Sequence, residues 1–135
     1  VANLPALSGI ASAATALPRI RPPFVAGERT QLLGWLDLQR AIAQWKCEGL
    51  SDADAHQVVL PTSPLMTMAG VISHLRWTEQ TWFEVLFLGR PADGPQFKED
   101  PEDADMMVEG VSLAQLLEAT STPSANSSTA KKGYY

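Results

Sequence analysis

The sequence predicts an all-α protein, and three observations carry that prediction. Two long segments repeat apolar residues at helical spacing, serine signals stand ahead of shorter helical stretches, and proline and glycine fall at the breaks between them. A chain of 135 residues leaves room for one domain. Residues 26–119 are the part expected to fold, with an acidic connector at 90–110 inside it, a flexible leader at 1–25 and a disordered tail at 120–135.

The leader has small side chains, two arginines and no acid, and it closes on Pro22 and Pro23. Each ring restricts the residue before it. Its alanine-rich stretch at 8–16 is marginal as an isolated helix. From Glu28 to Glu48 two stripes run along one expected helix: Leu33, Leu36, Ala43 and Cys47 on one side, Trp35, Leu38, Ile42 and Trp45 on another. Two stripes imply contact with more than one neighbour. Glu28 suits the positive end of that helix, and Gly49 marks its exit.

Ser51 with Asp54 reads as a variant capping box that opens a short helix through Ala55 and His56. The string VVLPTSP then interrupts helical structure. Ser63 followed by Pro64 predicts the start of the second long helix, which runs to about Leu88 through Met68, Ile72, Leu75, Trp82, Phe83 and Leu86. Its last turns, WFEVLFLG, are apolar nearly all round and call for partners on several sides. The four tryptophans, 35, 45, 77 and 82, fall in the two long helices and suit core and interface packing. Residues 93–109 hold seven acids and one lysine and read as a solvated connector. Ser112 with Gln115 predicts a third, short helix with Leu113, Leu116 and Leu117 as its apolar side. The tail has seven Ser or Thr and no aliphatic side chain larger than alanine.

Composition excludes several function classes. A formal net charge of −5 with unclustered basic residues opposes nucleic-acid binding. The longest apolar stretch, near residues 65–88, carries His74, Arg76, Glu79 and Glu84, which is not the pattern of a membrane span. Cys47 is the single cysteine, so an intramolecular disulfide and a thiolate cluster are both impossible within one chain, and a reducing cytoplasm is the expected compartment. No basic residue precedes the alanine-rich stretch, and prolines interrupt it at 5 and 18, so its match to a secretory signal is weak. No glycine-rich phosphate loop or nucleophile elbow appears.

Two phrases, W-K-x-E-G-L-S-D following Arg40 and H-L-x-x-x-E-x-x-W-F from His74 to Phe83, resemble the DinB-like superfamily, specifically the DUF664 type. The resemblance covers roughly Pro22 to Gly89 and, more weakly, Val111 to Glu118. It implies a four-helix bundle, a divalent metal, often zinc or nickel, held by three histidines, and thiol-dependent transfer or isomerisation with mycothiol or bacillithiol. His74 matches the metal ligand of the second long helix, Glu79 matches a frequent glutamate there, and Trp77 stands where some members carry another histidine. After Glu118 the chain departs from the pattern: the paired histidines of the last helix are absent and polar sequence follows. The expectation is therefore an incomplete DinB-like bundle with two long helices, shortened or diverged, and completed by self-association.

His74 is the candidate metal ligand, set against the alternative of a hydrogen-bonded, partly buried histidine. Catalytic zinc ordinarily takes three protein ligands, and Cys47, His56 and His74 are the whole stock of softer donors. His74 and Glu79 are five positions apart, about 140° around a helix, so Glu79 is either a solvated or capping carboxylate or one that binds an imidazole or backbone amide from another helix behind a metal ligand. Cys47 on an apolar stripe is ordinarily an inert small hydrophobe. Three function classes stay open: a noncatalytic helical protein that forms a homo-oligomer, a metal-dependent thiol transferase or isomerase whose zinc or nickel site is completed by another chain, and an interaction module for a helical protein partner.

Overall fold

A computed structural model of the chain describes residues 17–92, 94–95 and 101–121. The alanine-rich stretch at 8–16 and the polar tail from 122 onward lie outside the described residues. The all-α class is what the structure shows: among the described residues there are four α-helices, α1 (Glu28–Lys46), α2 (Asp52–Ala55), α3 (Met68–Glu79) and α4 (Leu113–Ser121), and no strand.

α1 starts behind Gly27, with Glu28 in its first turn and Lys46 in its last, each at the end of the helix dipole that favours its charge. Gly49, at φ +78°, turns the chain out of it, a conformation that costs glycine little. Residues 17–25 run beside α1. The Gln31 side chain donates to the Pro23 carbonyl. The Arg19 guanidinium stacks 4.3 Å from the centre of the Trp45 ring. A Cβ at Gly34 would come within 2.7 Å of Pro22, so that close approach needs the glycine.

The expected capping box of α2 is complete. Ser51 Oγ accepts from the Asp54 amide at 3.1 Å, and the Asp54 carboxylate takes the Ser51 amide in return. The second long helix begins later than the sequence predicts, at Met68 rather than beside Pro64. Residues 61–66 form turns instead, and Thr67 is the N-cap, its hydroxyl accepting from the Gly70 amide at 3.0 Å. Both Ser63-Pro64 and Thr67 are legitimate start signals. Thr67 prevails because its hydroxyl is buried against the helix it caps. Beyond Glu79 the helix widens into a π-helical segment, Gln80–Phe87, where the Leu88 amide reaches back five residues to the Phe83 carbonyl at 3.2 Å.

The core lies at one end of the molecule. Cys47, Ala55, Ala69, Ile72, Val108, Leu113 and Leu116 form one buried cluster, drawn from the exit of α1, from α2, from the first half of α3, from the stretch before α4, and from α4 itself. α1 runs antiparallel to α3: Cys47 meets the start of α3 in the cluster, and Arg40 reaches Glu79 at its end. The acidic stretch is not wholly solvated, because Asp105 and Val108 are buried in it. α4 has the predicted Ser112–Gln115 box, the serine amide donating to Gln115 Oε1 at 2.9 Å. It has a second cap as well, since Asp52 Oδ1 accepts from the Leu113 amide at 2.8 Å, tying α2 to the start of α4. Asp52→Ala should therefore lower stability by about 1 kcal/mol, the usual worth of a helix cap. A urea midpoint equal to that of the parent would show that this bond contributes nothing.

The far end of the molecule is differently made. None of the residues of the π-helical segment is buried, and Trp82, Phe83, Leu86, Phe87 and Leu88 are exposed, Phe87 at 82%. Leu32, Leu33 and Trp35 of α1 are exposed as well. Within one chain Trp35, Trp45 and Trp82 are exposed and lie outside the core cluster, which leaves interface packing as the part of the expectation that applies to them. Trp77 alone of the four is half-buried, covered by the Arg76 guanidinium at 4.3 Å and by Gly94, whose Cβ would lie within 2.6 Å of the ring.

Candidate functional site

α3 brings Gly70 and His74 to one face, one helical turn apart. Opposite that face lies a short 3-10 turn, Ala104–Met106, entered through Asp103 in the left-handed region at φ +63°, a conformation aspartate tolerates better than most residues. Gly70 lets the turn come close, for a Cβ there would stand 3.2 Å from the Met106 carbonyl oxygen. The result is a pair the sequence does not announce: His74 Nδ1 lies 2.6 Å from Asp105 Oδ2. The two side chains differ sharply in environment, Asp105 at 6% exposure and His74 at 48%. With Nδ1 turned inward to the carboxylate, Nε2 is the nitrogen left for an outside group.

The other candidates are placed elsewhere. Glu79 is engaged by the Arg40 guanidinium of α1, at 3.0 and 3.1 Å from Nε and 2.5 Å from an Nη. That bond raises the Arg40 pKa further above its ordinary value. The carboxylate on His74 is that of Asp105. Glu79 serves as the tie between α1 and α3, worth on the order of 1 kcal/mol for a partly solvated pair. His56 closes α2, its Nδ1 2.8 Å from the Asp52 carbonyl, while its Nε2 is shut away from solvent without a hydrogen-bonding partner.

Cys47 is buried in the core cluster, as its apolar stripe suggests, and burial pushes its thiol pKa up. A thiol that is a weaker acid in the native state than in the unfolded chain holds its proton longer when folded, so its contribution to stability is full below the unfolded value and is lost as pH rises through the folded one. Between roughly pH 8 and 10, on either side of an ordinary thiol pKa, the urea midpoint of the parent should fall more steeply than that of Cys47→Ala. Parallel curves would remove the thiol from the account.

The family resemblance implies zinc or nickel at a site that another chain would complete. Among the described residues no three His, Cys, Asp or Glu side chains come together as a metal-holding group. His74 offers one nitrogen with a carboxylate behind it, which is how metal-binding histidines are ordinarily backed, but one nitrogen is not the three-ligand set of a catalytic zinc. Cys47, His56 and His74, the softer donors of the chain, likewise form no such group among the described residues.

Helices packed around a buried cluster, with an imidazole and a buried carboxylate paired beside it, define an all-α protein. A family model described as Mycothiol-S-transferase matches residues 31–130, and the chain belongs to that family, a DinB-like one. Neither a curated protein nor a solved structure matches it. Among the described residues no helix is long and apolar enough to cross a membrane.

Proposed function

We propose that the chain acts in thiol transfer, as its family description suggests, with His74 at the reacting centre. The observation that carries this reading is the His74–Asp105 pair, a half-exposed imidazole held from behind by a buried carboxylate. A thiol bound against Nε2 would give its proton to that nitrogen. The thiolate would form a carbon–sulfur bond at an electrophilic carbon as the bond to a leaving group, chloride in chlorodinitrobenzene, breaks and the group departs with the electron pair. Asp105 would offset the charge that appears on the imidazole ring. The two sequence phrases around Trp45 and His74 support the DUF664 type within the superfamily, and the single buried thiol fits a reducing cytoplasm.

A second copy of the chain is the partner we favour. The exposed apolar side chains of α1 and of the π-helical segment support it, because an apolar surface of that kind ordinarily meets another protein. Among the described residues no group of three ligands includes His74, and such a copy is the source we propose for the other ligands of a zinc or nickel ion. The experiment is conjugation of mycothiol to chlorodinitrobenzene, run beside native mass spectrometry of the same preparation. Turnover above the uncatalysed rate supports transfer, and a dimer with one metal per chain supports a shared metal site. A protein inert toward the thiol, with and without added zinc or nickel, overturns the reading.

The exposed apolar face favours a second reading, a noncatalytic helical protein that self-associates or docks a helical partner. Under it the assay is silent while the native mass still exceeds that of one chain. A well-folded monomer at micromolar concentration would sink the self-association in both readings. Neither reading involves nucleic acid.

A further inference from the structure

The geometry points to Asp105 as the positioning residue of His74: its carboxylate accepts the Nδ1 proton, fixes the imidazole as the Nδ1–H tautomer and presents Nε2 as the bare, outward nitrogen. This rests on the proposed role of His74, and its test is separable from that role. An ionised carboxylate can only accept, so the 2.6 Å contact requires the proton to sit on Nδ1 and leaves the lone pair on Nε2. The free imidazole side chain prefers the opposite tautomer. A residue that reverses the preference decides whether His74 can take a proton or a cation from outside at all.

Three features make the contact a built one. Asp105 has 6% of its side chain exposed, so its direction is set by the fold and not by solvent. The left-handed Asp103 starts the turn that carries it, and Gly70 admits that turn against α3 one helical turn before His74. His56 supplies the contrast. Its Nδ1 also faces an oxygen, the Asp52 carbonyl at 2.8 Å, but its Nε2 is enclosed. Of the two histidines in the chain, His74 alone offers a lone pair to a reagent.

The test uses the full chain labelled with ¹⁵N at histidine, at about pH 8, where an ordinary imidazole is neutral. Long-range proton–nitrogen correlation should report His74 as the Nδ1–H tautomer. In Asp105→Ala the His74 pattern should move toward Nε2–H, and acylation of His74 by diethyl pyrocarbonate, read by peptide mass, should slow several-fold while His56 stays unreactive in both proteins. A parent His74 in the Nε2–H form, or a tautomer unchanged by Asp105→Ala, overturns the assignment. Should that variant fail to fold, the parent spectrum alone decides. Transfer activity without the Nδ1–H tautomer would leave the proposed function standing and remove Asp105 from it. The tautomer without activity would do the reverse.

Discussion

Gly70→Ala should destabilise the protein by about 1–3 kcal/mol, the usual cost of forcing extra volume into a filled site. The sign is informative, because alanine is the better helix former by about 1 kcal/mol and an open helical position would gain from the change. Gly70 is not open. Its added methyl would press on the Leu65 carbonyl oxygen, stand 3.2 Å from the Met106 carbonyl oxygen and 3.2 Å from Thr67 Oγ1. Two of these are backbone atoms and the third belongs to the cap of α3, so none can swing aside as the end of a long side chain would. Either the turns before α3 or the 3-10 turn must move. The second movement would carry Asp105 away from His74, so the variant should also change the acylation rate of His74. Urea unfolding of the variant beside Gly27→Ala, where a Cβ would meet nothing within 4 Å, checks the prediction. A midpoint at or above that of the parent would mean that the turn does not press on α3.

Much of the fold was legible because it is written in local signals. The Ser51–Asp54 and Ser112–Gln115 boxes, the extent of α1 and its glycine exit all depend on residues within one turn of each other, and each appears where the sequence places it. The start of α3 was misplaced because two start signals stand four residues apart and burial of Thr67 decides between them. His74 could be singled out from the family phrase. Asp105 could not, since it is one acid in an acid-rich run, and nothing local separates it from Asp103 or Glu102. The signal that existed was compositional: Ala104, Met106, Met107 and Val108 interrupt the acids with apolar residues, as a stretch that touches a core must. The partner of Glu79 is hidden for a related reason. That partner is Arg40, 39 positions earlier, and helical spacing within α3 carries no word of a residue on α1.

His74→Ala should lower kcat/KM for thiol conjugation by roughly 10²–10⁴-fold, the usual contribution of a positioned acid–base group. It should also cost stability, since a carboxylate with 6% exposure loses the imidazole it accepts from, a loss of about 1–3 kcal/mol. The two effects confound each other in that variant. His74→Asn separates them. The amide nitrogen of asparagine stands near where Nδ1 stands in histidine and can still donate to Asp105, while nothing replaces Nε2. If Nε2 is the reacting atom, the asparagine variant unfolds close to the parent midpoint and is as inactive as the alanine one. If His74 only buttresses the 3-10 turn, the asparagine variant retains most of the activity that the alanine variant loses. Activity that survives in both would move the reacting centre away from α3, and would leave the His74–Asp105 pair as a clasp between α3 and the turn that closes over it.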